Sequence, residues 1–385
     1  MNLELTEIIN ESKKLRWNIH KEPELGYNEE KTTEKIEKFF NDKGILFNRF
    51  DNMYGGYVYI DTKSDLTVGF RADIDALPIL ENTGLENSSK NFGVMHACGH
   101  DMHTSIAAGL ALYLWNHKND LNINVVILFQ PAEECSPKGG AKPLIESGFI
   151  EKLRINAMYG LHVWPSLKVG QIAVKEGVLM ASSDKLTIDI KGVKSHAAEP
   201  HRGVDAISIA ADIINAVVHK LRREIDPFDT SLVTIGKVET TGRYNVLCGD
   251  AKLEGTIRAT TREAQKKYHK RIVEVSEGIA NSYCGKAIVK IEPGYHILSN
   301  DEKQTSKFIS FAKNFLGKDN VKDKINPSLI GEDFSFYTEI VPSTYFFLGC
   351  ESDYPLHSDC FCPKEEAIDI ALNLLTKLFT NIKEI

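Results

Sequence analysis

The sequence of 385 residues lacks any long hydrophobic run. No apolar stretch approaches the roughly 18 to 20 residues that a membrane-spanning helix needs. The N-terminal stretch MNLELTEIINESKKLRW is charged and has no apolar core of the kind that a signal peptide carries. We therefore expect a cytoplasmic protein that does not have a membrane as its partner.

The sequence also has no excess of positive charge and no regular cysteine framework. Its formal net charge is -7, and no dense basic block offers a binding stripe for phosphate groups. The seven cysteines are an odd number spread over a long chain, unlike the paired cysteines of a small secreted domain. We expect reduced thiols and no nucleic-acid partner.

The order of helix-like and strand-like segments predicts two domains, as the chain length also suggests. Residues 1–180 alternate helical and strand patterns, which is typical of an α/β domain. Residues 181–293 instead follow the order strand, helix, strand, strand, helix, strand, which is that of a ferredoxin-like unit. We predict a mixed-sheet α/β domain formed by residues 1–182 and 294–385, with a ferredoxin-like α+β domain inserted at 183–293.

Residues able to bind a metal follow the predicted strands of the larger domain. In open α/β sheets, ligands bind at the carboxyl ends of the strands. Candidates follow four predicted strands: Asp73 and Asp75 follow LTVGFRA, Glu133 and Glu134 follow VVILFQPA, His162 follows NAMYGL, and His357 comes a short loop after STYFFLG. Two more candidates, Cys98 and His100, lie in the loop before the predicted helix TSIAAGLALYLW. Thiolate, imidazole and carboxylate are the usual ligands of zinc and related divalent metals. The pattern predicts a metal pair.

Each of these residues also has a simpler interpretation. A single histidine after a strand is more often a solvated loop residue, and Cys98 alone is more often a small buried side chain. Adjacent carboxylates at the end of a buried strand, as in Glu133 and Glu134, are harder to explain without a cation, because like charges repel.

Two other classes of protein stay open on the residues alone. A thiol enzyme would use Cys98 as the nucleophile with His100 or His103 as its base, but this leaves the paired glutamates without a function. A non-catalytic metal-binding or oligomeric protein would keep the metal ligands without the chemistry. His96 and His103 have no ligand role in our interpretation, and Asp101 either orients a ligand or caps the helix.

The whole set of motifs resembles one family. The motifs are HKEPELG (20–26), RADIDALP (71–78), HACGHD (96–101), FQPAEE (129–134), GLHVWP (160–165), SHAAEPH (195–201), EGTIR (254–258) and GEDFSFY (331–337). Together they resemble the co-catalytic metal hydrolases of the aminoacylase and carboxypeptidase family. More narrowly, they resemble its amidohydrolase branch, which includes hippurate hydrolases, auxin-conjugate hydrolases and N-acetyldiaminopimelate deacetylases.

The resemblance implies a site with two divalent metal ions in each subunit. The ligands that it implies are Cys98, His100, Glu134, His162 and His357. Zinc is the expected metal, and manganese, cobalt and nickel accept similar ligands. The resemblance further implies that Glu133 is the general base and that Asp75 is a second catalytic carboxylate, which orients or tunes a ligand.

The resemblance also implies functions for the inserted domain. The larger domain would be the catalytic domain, and the inserted domain would be a lid that joins two copies into a homodimer. In this lid, His196 would contact the substrate carbonyl or the oxyanion, and Asn245 and Arg258 would bind the substrate carboxylate. This sequence departs from the family pattern at Ser195, where glycine is usual, and after Asn245, where proline is usual. Both departures weaken the inference about substrate preference.

The resulting prediction is a metal-dependent amidohydrolase that cleaves the amide bond of N-acyl amino acids, similar to a hippurate hydrolase. The alternatives are an N-acetyldiaminopimelate deacetylase, or a metallo-carboxypeptidase or dipeptidase acting on short peptides. The motifs do not identify the acyl group or the amino acid.

Overall fold

The structure is a computed structural model, and it describes residues 3–382. Its helices are α1 (Leu3–His20), α2 (Glu30–Asn41), α3 (His100–Asn116), α4 (Ala141–Glu146), α5 (Phe149–Lys152), α6 (Ala206–Ile214), α7 (Arg262–Ser282), α8 (Glu302–Leu316), α9 (Ser335–Thr338) and α10 (Glu366–Thr380). Among residues 3–382, no helix combines the length and the apolar character that crossing a membrane requires.

The strands are β1 (Asn48–Arg49), β2 (Gly56–Ile60), β3 (Thr67–Asp73), β4 (Asn124–Gln130), β5 (Ile155–Trp164), β6 (Ile172–Ala173), β7 (Gly177–Met180), β8 (Ser182–Lys191), β9 (Ser195–His196), β10 (Ser231–Thr240), β11 (Val246–Leu247), β12 (Asp250–Ala259), β13 (Lys286–Tyr295), β14 (Leu298–Asn300), β15 (Val321–Lys322) and β16 (Ser343–Gly349).

The chain forms two compact units, each with its own hydrophobic core. Unit 1 comprises the described parts of Met1–Leu179, Ser299–Asn326 and Phe336–Ile385, and unit 2 comprises Met180–Leu298 and Pro327–Ser335. The short segment Pro327–Ser335 therefore packs in unit 2, although the sequence led us to place it in the catalytic domain. One reason is a backbone hydrogen bond of 2.9 Å from Ala181 N to Ser328 O.

Unit 1 is built on a mixed sheet, as predicted. Within the described residues this sheet has eight strands in the order β1, β2, β4, β3, β5, β16, β6, β15. Strands β4, β3, β5 and β16 are adjacent and run parallel to one another. Every residue of β3, β4 and β16 is buried, because strands in the middle of such a sheet are covered on both faces. The carboxyl ends of these four strands consequently lie at one edge.

Unit 2 has the predicted order of elements, β8, α6, β10, β12, α7, β13. Its antiparallel sheet has the strand order β10, β12, β8, β13. Ferredoxin-like units contain this βαββαβ sequence of elements. One predicted helix differs in detail: after α6 the chain continues as a π-helix (Asn215–Lys220) and a 3-10 helix (Leu221–Glu224).

Candidate metal centre

The loop before α3 makes a tight turn that separates Cys98 from His100. Gly99 has a φ of +89°, in the left-handed region that favours glycine. A Cβ atom at this position would lie 2.5 Å from Val163 Cγ2, so the turn also needs the space that glycine leaves. His100 is the first residue of α3 rather than a loop residue as we expected, because the helix begins directly after this turn.

Hydrogen bonds at Nδ1 orient two buried histidines. His100 Nδ1 lies 2.9 Å from the backbone oxygen of Asp75 and 3.2 Å from its Oδ1, and His162 Nδ1 lies 2.7 Å from Val163 O. A proton on each Nδ1 leaves the lone pair on Nε2, the usual arrangement of a metal-binding histidine. His162 Nε2 lies 3.3 Å from Cys98 Sγ, and His100 Nε2 has no hydrogen-bond partner among the described residues.

Two further candidate ligands come from the loops after β4 and β16. Glu134 N donates a hydrogen bond of 2.9 Å to Asp75 Oδ2, and Glu134 Oε1 lies 3.2 Å from His357 Nε2. His357 N in turn donates to Ala97 O at 2.9 Å, which brings the loop after β16 against the loop that carries Cys98. Asp75 therefore contacts two candidate ligands at once, through His100 and Glu134.

The five candidate ligands form two overlapping clusters. Ligand atoms within 4.8 Å of one another occur in the groups Cys98, His100, His162 and Cys98, Glu134, His357. A third group at this separation contains His100, Glu134 and the buried Glu133. Cys98 belongs to the first two clusters, so its sulfur atom lies within 4.8 Å of the candidate ligand atoms of both. This donor set of one thiolate, three imidazoles and a carboxylate fits a pair of divalent metal ions.

The charges in this region favour a cation. Burial and then the Glu134 and Glu133 carboxylates raise the pKa of the Cys98 thiol. Burial lowers the pKa of His162, which favours the neutral imidazole that binds metals. Although burial opposes it, the nearby Asp73 and Asp75 carboxylates raise the pKa of His100 to about 10. The carboxylates around His100 thus favour a positive charge at this ring, and a divalent ion at Nε2 would supply it in place of the ring's second proton.

His103 and Asp73 belong to the same region, although we predicted no ligand role for this histidine from the sequence. His103 Nδ1 lies 2.6 Å from Asp73 Oδ1, while Val163 N donates to His103 Nε2 at 2.9 Å. Both ring nitrogens are therefore used, which makes His103 a positioning residue rather than a ligand. Asp73 also accepts from Arg71 Nη1 at 2.7 Å. The available sequence signal was the spacing of His100 and His103, three residues apart on one helix face.

Asp101 is part of a buried ionic network rather than a helix cap. Its Oδ2 accepts from Arg16 Nε at 3.0 Å and lies 2.9 Å from His20 Nδ1. His20 Nε2 lies 3.3 Å from Glu81 Oε1. This network anchors α1 to the first turn of α3, one residue from His100. His96 is buried nearby, and neither of its ring nitrogens has a hydrogen-bond partner among residues 3–382.

The three candidate substrate-binding residues lie in unit 2. His196 pairs with Val246 between β9 and β11, and Ala197 N donates to Asn245 O at 3.1 Å, so His196 and Asn245 are neighbours. Both side chains are exposed. Arg258 lies instead on β12 of the four-stranded sheet and is partly buried, which lowers its pKa. The structure brings the first two together but places Arg258 on another sheet.

The fold and the cluster of ligands define a class of protein, the metal-dependent hydrolases that cleave amide bonds. The chain belongs to the peptidase family M20/M25/M40, whose family model matches residues 69–381. The resemblance noted in the sequence is thereby confirmed.

Named relatives match over almost the whole chain. The chain is 36% identical over 378 residues to the N-acetyldiaminopimelate deacetylase of Priestia megaterium, and the match covers 96% of this chain and 98% of that protein. It is also 36% identical over 372 residues to the N-acetyldiaminopimelate deacetylase of Listeria innocua, with 96% and 98% covered.

Solved structures agree with this assignment. A putative aminohydrolase from methicillin-resistant Staphylococcus aureus has a TM-score of 0.89 at 30% identity, covering 98% of this chain and 97% of that one. A dinuclear metal-binding peptidase of the M20 family from Bacillus subtilis has a TM-score of 0.84 at 32% identity, covering 98% and 99%. The predicted fold class, a mixed α/β catalytic domain with a lid domain, is confirmed.

Proposed function

We propose that this protein is a deacetylase that removes the acetyl group from N-acetyldiaminopimelate. The sequence led us first to a general hydrolase of N-acyl amino acids and gave this deacetylase as an alternative. The relatives named above favour the alternative, because they match over nearly their full length and carry this name. The broader class, hydrolysis of an amide bond, is common to both interpretations.

The observation that carries the metal-dependent mechanism is the pair of clusters that share Cys98. We propose that Cys98, His100, Glu134, His162 and His357 hold two divalent ions. Zinc fits the thiolate and imidazole donors, and manganese, cobalt or nickel would accept them as well. When bound, two such ions lower the pKa of water toward neutrality and polarise the amide carbonyl.

Glu133 is the proposed general base. It accepts a proton from the attacking water at its carboxylate and returns that proton to the departing amine. Its buried position next to Glu134 supports this assignment, because the general base must lie beside the metal ligands but must not itself bind the metal. Asp75 supports the reaction by orienting His100 and by accepting from Glu134 N at 2.9 Å.

Unit 2 supplies the proposed substrate-binding residues. We propose that Asn245 and Arg258 bind the substrate carboxylate and that His196 binds the carbonyl oxygen. A guanidinium group suits a carboxylate because it donates two parallel hydrogen bonds. The exposed side chains of His196 and Asn245 are available for a ligand.

A panel of substrates tests the proposed activity. Release of the free amine is measured for N-acetyldiaminopimelate, N-acetyl and N-benzoyl amino acids, indole-acetyl amino acids and dipeptides, with zinc or manganese added. We expect the highest kcat/KM on N-acetyldiaminopimelate. A higher value on a benzoyl amino acid or a dipeptide would contradict the proposed substrate while leaving the class of reaction intact.

A homodimer formed through unit 2 is a further part of the proposal. Strand β10 is an edge of the sheet, and its Val238 side chain is 53% exposed. An open edge can pair with a second copy across a two-fold axis. In sedimentation analysis we expect the wild type to be a dimer and V238D to dimerise more weakly. A monomeric wild type would refute the proposed homodimer.

The cytoplasmic location that we expected from the sequence also stays a prediction.

A further inference from the structure

Glu29 is a buried carboxyl group that the proposed mechanism does not use. It occupies the N-cap position of α2, yet its side chain makes no capping hydrogen bond. Glu24 performs that function instead, since its Oε2 accepts from Thr32 N at 2.7 Å and from Thr32 Oγ1 at 2.9 Å. The carboxyl of Glu29 is therefore available for another partner.

That partner is the loop carrying the paired glutamates. Glu29 Oε1 accepts a hydrogen bond of 2.8 Å from Ala132 N, and both residues are buried. Ala132 has a φ of +59°, a left-handed conformation that is unfavourable for a residue with a Cβ atom. Such a conformation persists only where neighbouring groups hold it. Glu133 and Glu134 follow directly, so the geometry at Ala132 determines where both carboxylates point.

The segment before Glu29 is packed against the loop after β3, which carries Asp75, and against the loop after β4, which carries Ala132. A Cβ atom on Gly26 would lie 3.1 Å from Ala132 Cα and 3.2 Å from Asp75 Oδ2. Ala76 N also donates a hydrogen bond of 2.8 Å to Glu24 O. The turn at Ala132 is consequently held from two sides, by Glu29 at its own amide and by Asp75 two residues later, at the amide of Glu134.

The second carboxyl oxygen of Glu29 has no hydrogen-bond partner among the described residues. Burial, and after it the charge of Asp75, raises the pKa of Glu29 to about 8. At neutral pH the group is then largely an uncharged acid, and an amide of the same shape can replace it. The groups that face this carboxyl as hydrogen-bond donors are backbone amides, with that of Ala132 at 2.8 Å.

We propose that Glu29 is a positioning residue whose Oε1 holds the Ala132 amide and thereby directs Glu133 and Glu134 into the metal centre. The proposal rests on the proposed function only for its activity readout. Its structural readouts, metal affinity and amide exchange, do not depend on the identity of the substrate.

Two substitutions of Glu29 and one matched control test the proposal. E29Q keeps an oxygen that can accept from Ala132 N, and E29L removes this acceptor at similar side-chain volume. The control, E24L, removes a carboxyl group that lies in the same segment and caps α2 but does not contact Ala132 N. We measure kcat, KM, zinc affinity by competition with a chromogenic chelator, and hydrogen exchange of the peptide covering residues 130–135.

The expected results distinguish the loss of the hydrogen-bond acceptor from a general loss of stability. E29L leaves a buried donor without a partner, and we expect kcat to fall about 10-fold to 100-fold with KM within about threefold. Zinc affinity should fall as well, and the 130–135 peptide should exchange faster. E29Q should stay within about threefold of wild type in all readouts. E24L should lower the denaturation midpoint but keep kcat per folded enzyme.

The opposite results would overturn the proposal. These are an unchanged exchange rate and zinc affinity in E29L, equal losses in E29Q and E29L, or a loss of kcat in E24L as large as that in E29L. If E29L does not fold, E29D takes its place, because it keeps the carboxyl but withdraws it by one methylene from Ala132 N. If the wild type fails to deacetylate the proposed substrate, zinc affinity and exchange still decide the function of Glu29.

Discussion

Replacing Asp75 with asparagine tests how the site positions its ligands. Asp75 uses both carboxylate oxygens as acceptors: Oδ2 accepts from Glu134 N at 2.9 Å, and Oδ1 lies 3.2 Å from His100 Nδ1. An asparagine side chain has only one acceptor, so D75N must turn its amide donor toward one of these two N–H groups. The backbone oxygen of Asp75, 2.9 Å from His100 Nδ1, preserves part of the contact with the imidazole.

The expected loss follows from the bonds that D75N removes. A hydrogen bond to a charged group contributes about 1.5 to 3 kcal/mol, so we expect kcat/KM to fall by roughly 10-fold to 150-fold. Substituting a residue that hydrogen-bonds to a metal ligand also weakens metal affinity by roughly 10-fold to 100-fold. The assay is steady-state hydrolysis at several zinc concentrations, together with zinc titration of the metal-free protein.

A matched control uses the same change at a position where one acceptor suffices. Asp301 caps α8 by accepting from Gln304 N at 2.8 Å, and asparagine caps a helix about as well as aspartate. D301N should therefore keep wild-type activity and metal affinity. If D75N kept kcat/KM within threefold of wild type and bound zinc equally well, our assignment of Asp75 would be refuted.

Three further predictions concern pH, backbone space and metal. Although burial opposes it, Asp101 and then Glu81 raise the pKa of His20 to about 9. Because this pKa in the folded protein exceeds the value of 6.5 in the unfolded chain, His20 should contribute about 3 kcal/mol to the loss of stability of the metal-free protein as pH rises from 6.5 to 9. The free energy of unfolding of H20Q in urea should depend less on pH by this amount, and an equal pH dependence in H20Q and the wild type would disprove the prediction. G99A should weaken zinc binding at least about tenfold, because its Cβ would lie 2.5 Å from a Val163 methyl group, while G148A has a similar φ but nothing within 4 Å and should bind normally. Equal affinities would exclude this steric effect. A chelator should abolish hydrolysis and zinc should restore it, whereas inactivation of the zinc-loaded enzyme by a thiol alkylator without loss of metal would favour a thiol nucleophile.

Part of the candidate site could be predicted from the sequence because its residues stand at or near the carboxyl ends of strands with a plain apolar pattern. Asp75 and Glu134 follow β3 and β4, His162 lies near the end of β5, and ligands collect at this edge of a sheet. Cys98 and His100 instead lie at the start of α3, and the resemblance to the family implied their role as ligands. The βαββαβ order of unit 2 was equally readable, since its helices and strands differ clearly in periodicity.

The contacts that support the ligands were not readable from the sequence. His103 joins Asp73 from thirty residues away, at 2.6 Å, and no local pattern distinguishes this pairing from a metal ligand. The acceptor role of Glu29 was hidden because a glutamate just ahead of a helix is normally interpreted as a favourable charge at the helix N-terminus, whereas here Glu24 binds the first turn and Glu29 does not. Long-range packing of this kind depends on three-dimensional shape rather than on composition or period.

The most direct test of the central claim compares E133Q with the wild type on N-acetyldiaminopimelate, with bound metal counted in both proteins. The account predicts two equivalents of divalent metal in each, acetate release by the wild type, and a rate for E133Q lower by about 100-fold to 10,000-fold. Full hydrolysis by E133Q at an unchanged metal content would contradict the proposed base, and activity in a wild type without metal would contradict the metal centre itself.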